Sequence, residues 1–337
     1  MNIPDQKNHE MPTEIGGYFG LDLPCYEELY PNALKFQSGR AAIRAVLESA
    51  ALTRVFLPTY VCDSVIKAVT DAGAKVEFYC LDESRYPKYI PAKIPKHSAL
   101  LYVNYFGLCA KNITRLRTVI PAQQLIIDNS QALFFAHQGE LATIYSPRKF
   151  VGVPDGGLLI HSTSLKFEMP DEEDSASIER IRPLLMRMAH SAREGYSDFK
   201  KIPLSLQDTT PLLMSRLTQR LLKSIPWVQV AQRRSENFLL MSKKLDGING
   251  MHWELDVSDV PMCYPLTLPE EKVYRIRNQL KAQNIFVPIY WQDALPRITP
   301  NSIETTLTNN TLFIPIDQRM ESNQVRTLSD LLMEMAI

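Results

Sequence analysis

The chain has 337 residues, 45% hydrophobic and 22% charged, the composition of a folded globular protein with length for about two domains. Lysine plus arginine and aspartate plus glutamate both number 37, so no net charge draws the protein to nucleic acid or to an anionic membrane. Residues 1–11 are polar and lack the apolar centre of a secretory leader, and no apolar run approaches the ~20 residues that span a bilayer; a cytoplasmic protein is expected.

Residues 39–52 (GRAAIRAVLESAAL) combine strong helix formers with helical spacing and predict a helix. Residues 54–57 read as a short apolar strand stopped by Pro58, residues 61–72 as a helix closed by Gly73, and residues 75–81 (KVEFYCL) as a strand. Apolar runs at 99–103, 125–127 and 157–161 are further strands, with a helix over 113–119 between the first two. Near-continuous apolar strands separated by helices imply a mostly parallel sheet covered on both faces.

After about Thr163 the character changes. Residues 171–193 are charged and helical, and helices at 210–223 and 228–245 are separated at Ser224-Ile225-Pro226. Then come a strand at 263–268, a helix at 270–282, strands at 286–289 and 311–316, and a final helix at 322–335. The expected organisation is an arm at 1–35, a large domain at 36–225 and a smaller α+β domain at 226–337.

The five cysteines (Cys25, Cys62, Cys80, Cys109 and Cys263) are odd in number and dispersed. That pattern argues against a disulfide framework or a zinc site and predicts reduced core thiols. The six histidines show no metal-ligand spacing either.

Four segments carry chemistry. Ser38-Gly39-Arg40-Ala41-Ala42 opens the first helix. Free N–H groups at a helix start, approached closely over a glycine, can hold a phosphate; alone, a Ser-Gly pair is more often only a cap. Val103-Asn104-Tyr105-Phe106-Gly107 is a strand end whose amide and aromatics either line a pocket or pack a core. In the segment Leu125-Ile126-Ile127-Asp128-Asn129-Ser130-Gln131, Asp128 ends a buried strand, where open α/β sheets bind ligands. Its carboxylate can keep a pyridine nitrogen protonated, or simply cap the next turn. Tyr145-Ser146-Pro147-Arg148-Lys149 precedes the turn Pro154-Asp155-Gly156-Gly157. Dehydration and the neighbouring Arg148 both disfavour the Lys149 ammonium, leaving an amine able to attack an aldehyde. Ser146 is spaced to donate to a phosphate. Standing alone, that lysine would read as solvated surface.

Together these segments resemble the DegT/StrS-type sugar aminotransferase family of fold-type I pyridoxal-phosphate enzymes. Ser38-Gly39-Arg40-Ala41 is similar to its Ser-Gly-Thr-Ala-like turn, and Leu57-Pro58-Thr59-Tyr60-Val61 to its Val-Pro-x-x-Thr-like strand end. Val103-Asn104-Tyr105-Phe106-Gly107 resembles its Val-His-Leu-Tyr-Gly-like strand, and Ile127-Asp128-Asn129-Ser130-Gln131 its Glu-Asp-Ala-Ala-Gln-like segment. Lys149 with Pro154-Asp155-Gly156-Gly157 resembles the lysine and its Gly-Glu-Gly-Gly-like turn, and residues 231–238 look like its Arg-x-x-Asn-Tyr helix.

The likeness spans most of the chain and implies an α/β protein of aspartate-aminotransferase-like fold: a large domain with a mostly parallel sheet covered by helices, plus a smaller C-terminal α+β domain. It implies pyridoxal 5'-phosphate as cofactor, with Lys149 as the Schiff-base lysine and proton shuttle. Asp128 would meet the ring nitrogen and Gln131 the phenolic oxygen. Gly39 and Arg40, through backbone N–H, and Ser146 would hold the phosphate. Tyr60 is the candidate for the ring face, with Cys62 the other position, and Asn104 would line the pocket. The implied partners are small molecules: an amino donor, expected to be glutamate, and a keto-sugar acceptor, expected to be nucleotide-linked, for a surface polysaccharide or similar glycan. A homodimer with active sites at the interface is implied too.

Arg40 stands where the family has a small hydroxyl residue, Asn104 where it has histidine, and Ser146 lies three residues before the lysine rather than five. A related dehydratase branch has histidine at the position of Lys149, so the lysine favours amino transfer. Another fold-type I reaction (a lyase or desulfurase) and a non-catalytic binding protein are the alternatives, since one fold hosts many functions. Tyr290 and Trp291 fall at a substrate-facing loop of relatives or simply pack, and Arg193 and Tyr196 either reach a partner or form a solvated linker.

Overall fold

A computed structural model describes residues 15–257 and 259–337; the polar stretch at 1–11 lies outside them. From residue 15 the chain runs without regular structure to β1 (Leu34–Phe36), which begins inside the stretch expected to be an arm. There follow α1 (Gly39–Ser49), β2 (Arg54–Pro58), α2 (Asp63–Asp71), β3 (Lys75–Tyr79), β4 (Ser98–Val103), α3 (Ala110–Val119), β5 (Leu125–Asn129), β6 (Ala142–Tyr145) and β7 (Gly157–His161). The strands form one seven-stranded sheet in the order β1-β7-β6-β5-β4-β2-β3. The five strands from β3 to β6 are parallel, β7 runs against β6, and β1 against β7. Every residue of β4 and β5 is buried, as their unbroken apolar runs require of strands covered on both faces.

This topology gathers chemistry at one edge. The registers Val103↔Asp128, Asn129↔Tyr145, Tyr145↔Leu158 and Phe36↔Gly157 bring the C-terminal ends of β4, β5, β6 and β1 level with the start of β7. Helix α1 therefore starts at that edge. It buries Ala41, Ala42, Ile43, Ala45, Val46 and Leu47. Its first turn is capped by Ser38, whose hydroxyl accepts from the Ala41 N–H at 3.2 Å. Gly157 permits the contact between β7 and this helix start: a Cβ there would lie 2.3 Å from the carbonyl carbon and oxygen of Ser38.

The second half comprises α4 (Ser177–Ala189), α5 (Tyr196–Phe199), α6 (Ile202–Ser205), α7 (Arg216–Leu222), α8 (Trp227–Leu245), β8 (Cys263–Thr267), α9 (Glu270–Ala282), α10 (Ile303–Asn309), β9 (Thr311–Pro315) and α11 (Ser322–Ala336). β8 and β9 form a two-stranded antiparallel sheet, against which α8, α9 and α11 assemble a second layer. The strand expected at 286–289 is absent: the segment is irregular, and Pro288 has no N–H to give a ladder. The charged stretch at 171–193 is helical only from Ser177.

Arg234 of α8 joins the two layers. It is buried, and its guanidinium donates to the carbonyls of Phe150 (3.2 Å) and Met262 (3.0 Å) and to Gln318 Oε1 (3.1 Å). Burial pushes its pKa down to about 10. Because Phe150 follows Lys149, this strut fixes the turn that carries the lysine.

Gly157→Ala should lower unfolding stability by about 3 kcal/mol, the upper end of overpacking costs, because the methyl meets backbone that cannot rotate away. Urea denaturation checks this; an unchanged midpoint would show that β7 and α1 separate freely.

Candidate functional site

Lys149 ends a short turn, Pro147–Lys149, after β6. Its side chain is accessible, yet enough protein surrounds the ammonium that dehydration is the first cause of a pKa held below the ordinary lysine value. A side chain both accessible and dehydrated lines a cleft. Among the charges acting on it, Asp128 comes first and favours the ammonium; Cys62 does the same, while Arg148 and Arg40 oppose it. The lysine and the aspartate thus lie near enough at the sheet edge for the carboxylate to favour the ammonium. Lys149 Nζ lies 5.9 Å from the ring centre of Trp291.

Asp128 is 3% exposed and accepts the Ser130 N–H at 2.8 Å through Oδ1. It caps the following turn, as one reading of this residue expects. Gln131 and Asn104 are fully buried. Each uses its carbonyl oxygen locally: Gln131 Oε1 accepts from the Phe106 N–H at 3.2 Å, and Asn104 Oδ1 from the Cys109 N–H at 3.1 Å. Their amide nitrogens, Nε2 and Nδ2, have no partner. A buried unpaired donor costs about 1–3 kcal/mol, so both are open to an acceptor.

At the start of α1 the built position of a Gly39 Cβ lies 3.6 Å from Ser130 Oγ and 3.9 Å from Ser146 Cβ. Helix start, β5 end and β6 end therefore converge on one cup. Ser38 serves Ala41, and no acceptor among the described residues takes the N–H of Gly39 or Arg40. Such free N–H groups suit an anion.

Tyr60 is fully buried, stacked on Tyr105 at 5.8 Å and meeting Trp291 edge-on at 4.8 Å. From the same loop Cys62 is half-buried. Cys62 is thus not the core thiol expected. Cys25 is exposed and Cys80 half-buried, so only Cys109 and Cys263 lie in the core. The loop is clasped from the C-terminal layer. Arg297 donates to Thr59 O at 2.9 Å, to Val61 O and to Asp63 Oδ1 at 2.6 Å; buried Glu304 accepts from Thr59 Oγ1 at 3.1 Å and the Leu81 N–H at 2.6 Å. Sequence reasoning missed Arg297 and Glu304, which lie more than two hundred residues from the loop they hold. It also left Ser130 without a role, although the residue stood inside a motif. Arg193 and Tyr196 are exposed on the way into α5. Among the described residues no group of His, Cys, Asp or Glu is placed to hold a metal ion.

No protein-family model and no curated relative matches the chain. Solved structures do. The sugar aminotransferase CalS13 from Micromonospora echinospora matches with a TM-score of 0.60 at 15% identity, over 90% of this chain and 87% of that one. DesV from S. venezuelae gives 0.61 at 19% identity, over 90% and 84%. The PLP form of Spr1654 from Streptococcus pneumoniae gives 0.59 at 15%, over 91% and 87%. The chain therefore has the aminotransferase fold of these proteins, a mostly parallel seven-stranded sheet covered by helices with a small antiparallel sheet beside it.

The lowered pKa of Lys149 makes a stability prediction. Between its folded value and the ordinary lysine value of 10.5 the unfolded chain binds more protons, so stability rises with pH across that window. Lys149→Met should therefore melt above the wild type at neutral pH, the gap closing as pH approaches the ordinary lysine range. A lower melting temperature for the variant at neutral pH would show that the amine is fully hydrated.

Proposed function

We propose that this protein is a pyridoxal-phosphate-dependent transaminase that moves an amino group from glutamate to a nucleotide-linked keto-sugar, on a route to a surface polysaccharide or similar glycan. The observation that carries the reading is Lys149 at the sheet edge, an amine whose ammonium burial disfavours, within reach of the charge of buried Asp128.

The residues fit the cofactor. Asp128 would hold its ring nitrogen, and Gln131 Nε2, a buried donor with no partner, its phenolic oxygen. The Gly39 and Arg40 N–H groups with Ser146 Oγ would hold its phosphate, Cys62 would lie against its ring, and Asn104 Nδ2 would line the pocket. When bound, pyridoxal phosphate supplies an aldehyde that takes up the amino group and a ring that withdraws electrons from the substrate's α-carbon.

The chain's own groups then handle protons and position. Dehydration disfavours the Lys149 ammonium, so with the cofactor bound Nζ would serve as the amine that holds its aldehyde and as the base for the donor's α-proton. The same Nζ would return that proton as an acid and would act in the reverse order for the acceptor. The Asp128 carboxyl would face the positive ring nitrogen. Trp291, from the C-terminal layer, walls the lysine on one side and limits water around Nζ.

A homodimer with the sites at its interface belongs to this proposal. Large apolar side chains stand exposed on the approach to β1 (Ile15, Tyr18, Phe19) and on α4 (Ile178, Met188), as surfaces covered by a second copy do. We place the protein in the cytoplasm: its five cysteines are all free, and no helix of the described residues is long and apolar enough to cross a membrane.

Mixed with pyridoxal phosphate and glutamate without acceptor, the protein should release 2-oxoglutarate in a single stoichiometric turnover, and Lys149→Ala should slow this by about 10²–10⁴-fold. Cofactor uptake without keto-acid release favours a lyase or desulfurase; no uptake at all favours the non-catalytic reading.

A further inference from the structure

We propose that Phe106 is a positioning residue: held in a left-handed turn by rings of the C-terminal layer, it fixes which end of the Gln131 amide is left for a ligand. Phe106 is fully buried with φ 58° and ψ 11°, a conformation that a bulky side chain adopts only under constraint. Three contacts supply the constraint. Its N–H donates to Gln131 Oε1 at 3.2 Å, and its carbonyl accepts the Met262 N–H at 2.8 Å. Its ring packs against those of Phe313 (4.8 Å between centres), Trp253 (5.6 Å) and Tyr290 (6.0 Å).

The left-handed turn lets one residue face two ways. Its N–H serves Gln131, just past β5, while its carbonyl and ring serve the C-terminal layer. Gly107 continues the turn at φ 73°, and a Cβ there would lie 2.9 Å from the Val260 carbonyl oxygen, so backbone from the C-terminal half presses directly on it. Trp253 is backed in turn by the Arg85 guanidinium, 4.3 Å from its ring centre.

An N–H can be accepted only by the oxygen end of a side-chain amide. By occupying Oε1, Phe106 leaves Nε2 as the free end, and that buried nitrogen has no partner among the described residues. A turn relaxed to an ordinary φ would release the amide to rotate and offer either end. The C-terminal layer thus acts on Gln131 through one peptide group. The acceptor that Nε2 would meet is the phenolic oxygen of pyridoxal phosphate; that acceptor rests on the transaminase reading, the hold of Phe106 on Gln131 does not.

The test titrates the visible band of protein-bound pyridoxal phosphate with pH in wild type, Gln131→Leu, Phe106→Ala and the double variant. A donor on the phenolic oxygen stabilises its negative charge and so lowers the pH at which the bound chromophore loses its proton. Gln131→Leu should raise that pH by about one unit, the tenfold effect of one hydrogen bond to a charged oxygen. Phe106→Ala, which removes the ring that holds the turn, should raise it too, and the double variant should go no further than Gln131→Leu alone. Trp253→Leu opens one wall of the ring cluster, leaves the sequence of the turn intact and should also shift the pH upward; it decides the matter where Phe106→Ala does not fold.

A shift in Gln131→Leu with none in Phe106→Ala or Trp253→Leu overturns the inference and leaves Phe106 a packing residue. So does a double variant whose shift is the sum of the two single ones. An unchanged pH in Gln131→Leu overturns it as well, because Nε2 then meets no phenolic oxygen. If wild type forms no visible band, the transaminase reading fails and urea unfolding of the same four proteins decides. Costs smaller in the double variant than the sum of the singles keep the hold of Phe106 on Gln131; costs that simply add refute it.

Discussion

The convergence of the β5 end, the lysine turn and the start of α1 on one sheet edge is the constraint around which this molecule is arranged. Dehydration weighs on Lys149, Arg40 and Arg148, the cations that these segments carry. They are held in place because the lysine turn, the helix start and the β5 end are all anchored to that rigid edge.

Anchoring comes from both sides. The sheet fixes Asp128 and the β6 end through parallel pairing, and β7 presses against α1 where only a glycine fits. From the C-terminal layer, Arg234 and Gln318 converge on the carbonyl of Phe150, beside the lysine, while Arg297 and Glu304 hold the loop of Tyr60 and Cys62. Arg234, Gln318 and Arg297 reach backbone carbonyls, while Glu304 accepts from the Thr59 hydroxyl and the Leu81 N–H.

Much of this was legible in the sequence. The apolar runs of β4 and β5 have no other use than a sheet covered twice, and α1 and α8 announce themselves by spacing and composition. Asp128 and Lys149 stood out through their place at strand ends. Short elements escaped: β1 and β6, of three and four residues, carry too few side chains to show a period. Residues 286–289 have the composition of a strand, but their partner would have to be supplied by the fold, and a proline interrupts the ladder. The Tyr60 ring packs on Tyr105 and Trp291, an environment that only the folded chain defines. The struts were invisible because nothing local distinguishes an arginine that will meet a carbonyl from another part of the chain.

The close contact of Gly157 with Ser38 has an evolutionary corollary. The shape of the cup is set by backbone, and that backbone tolerates no extra carbon, so the cup is inherited whole. Side chains that project from its rim, by contrast, can be exchanged one at a time without disturbing the sheet.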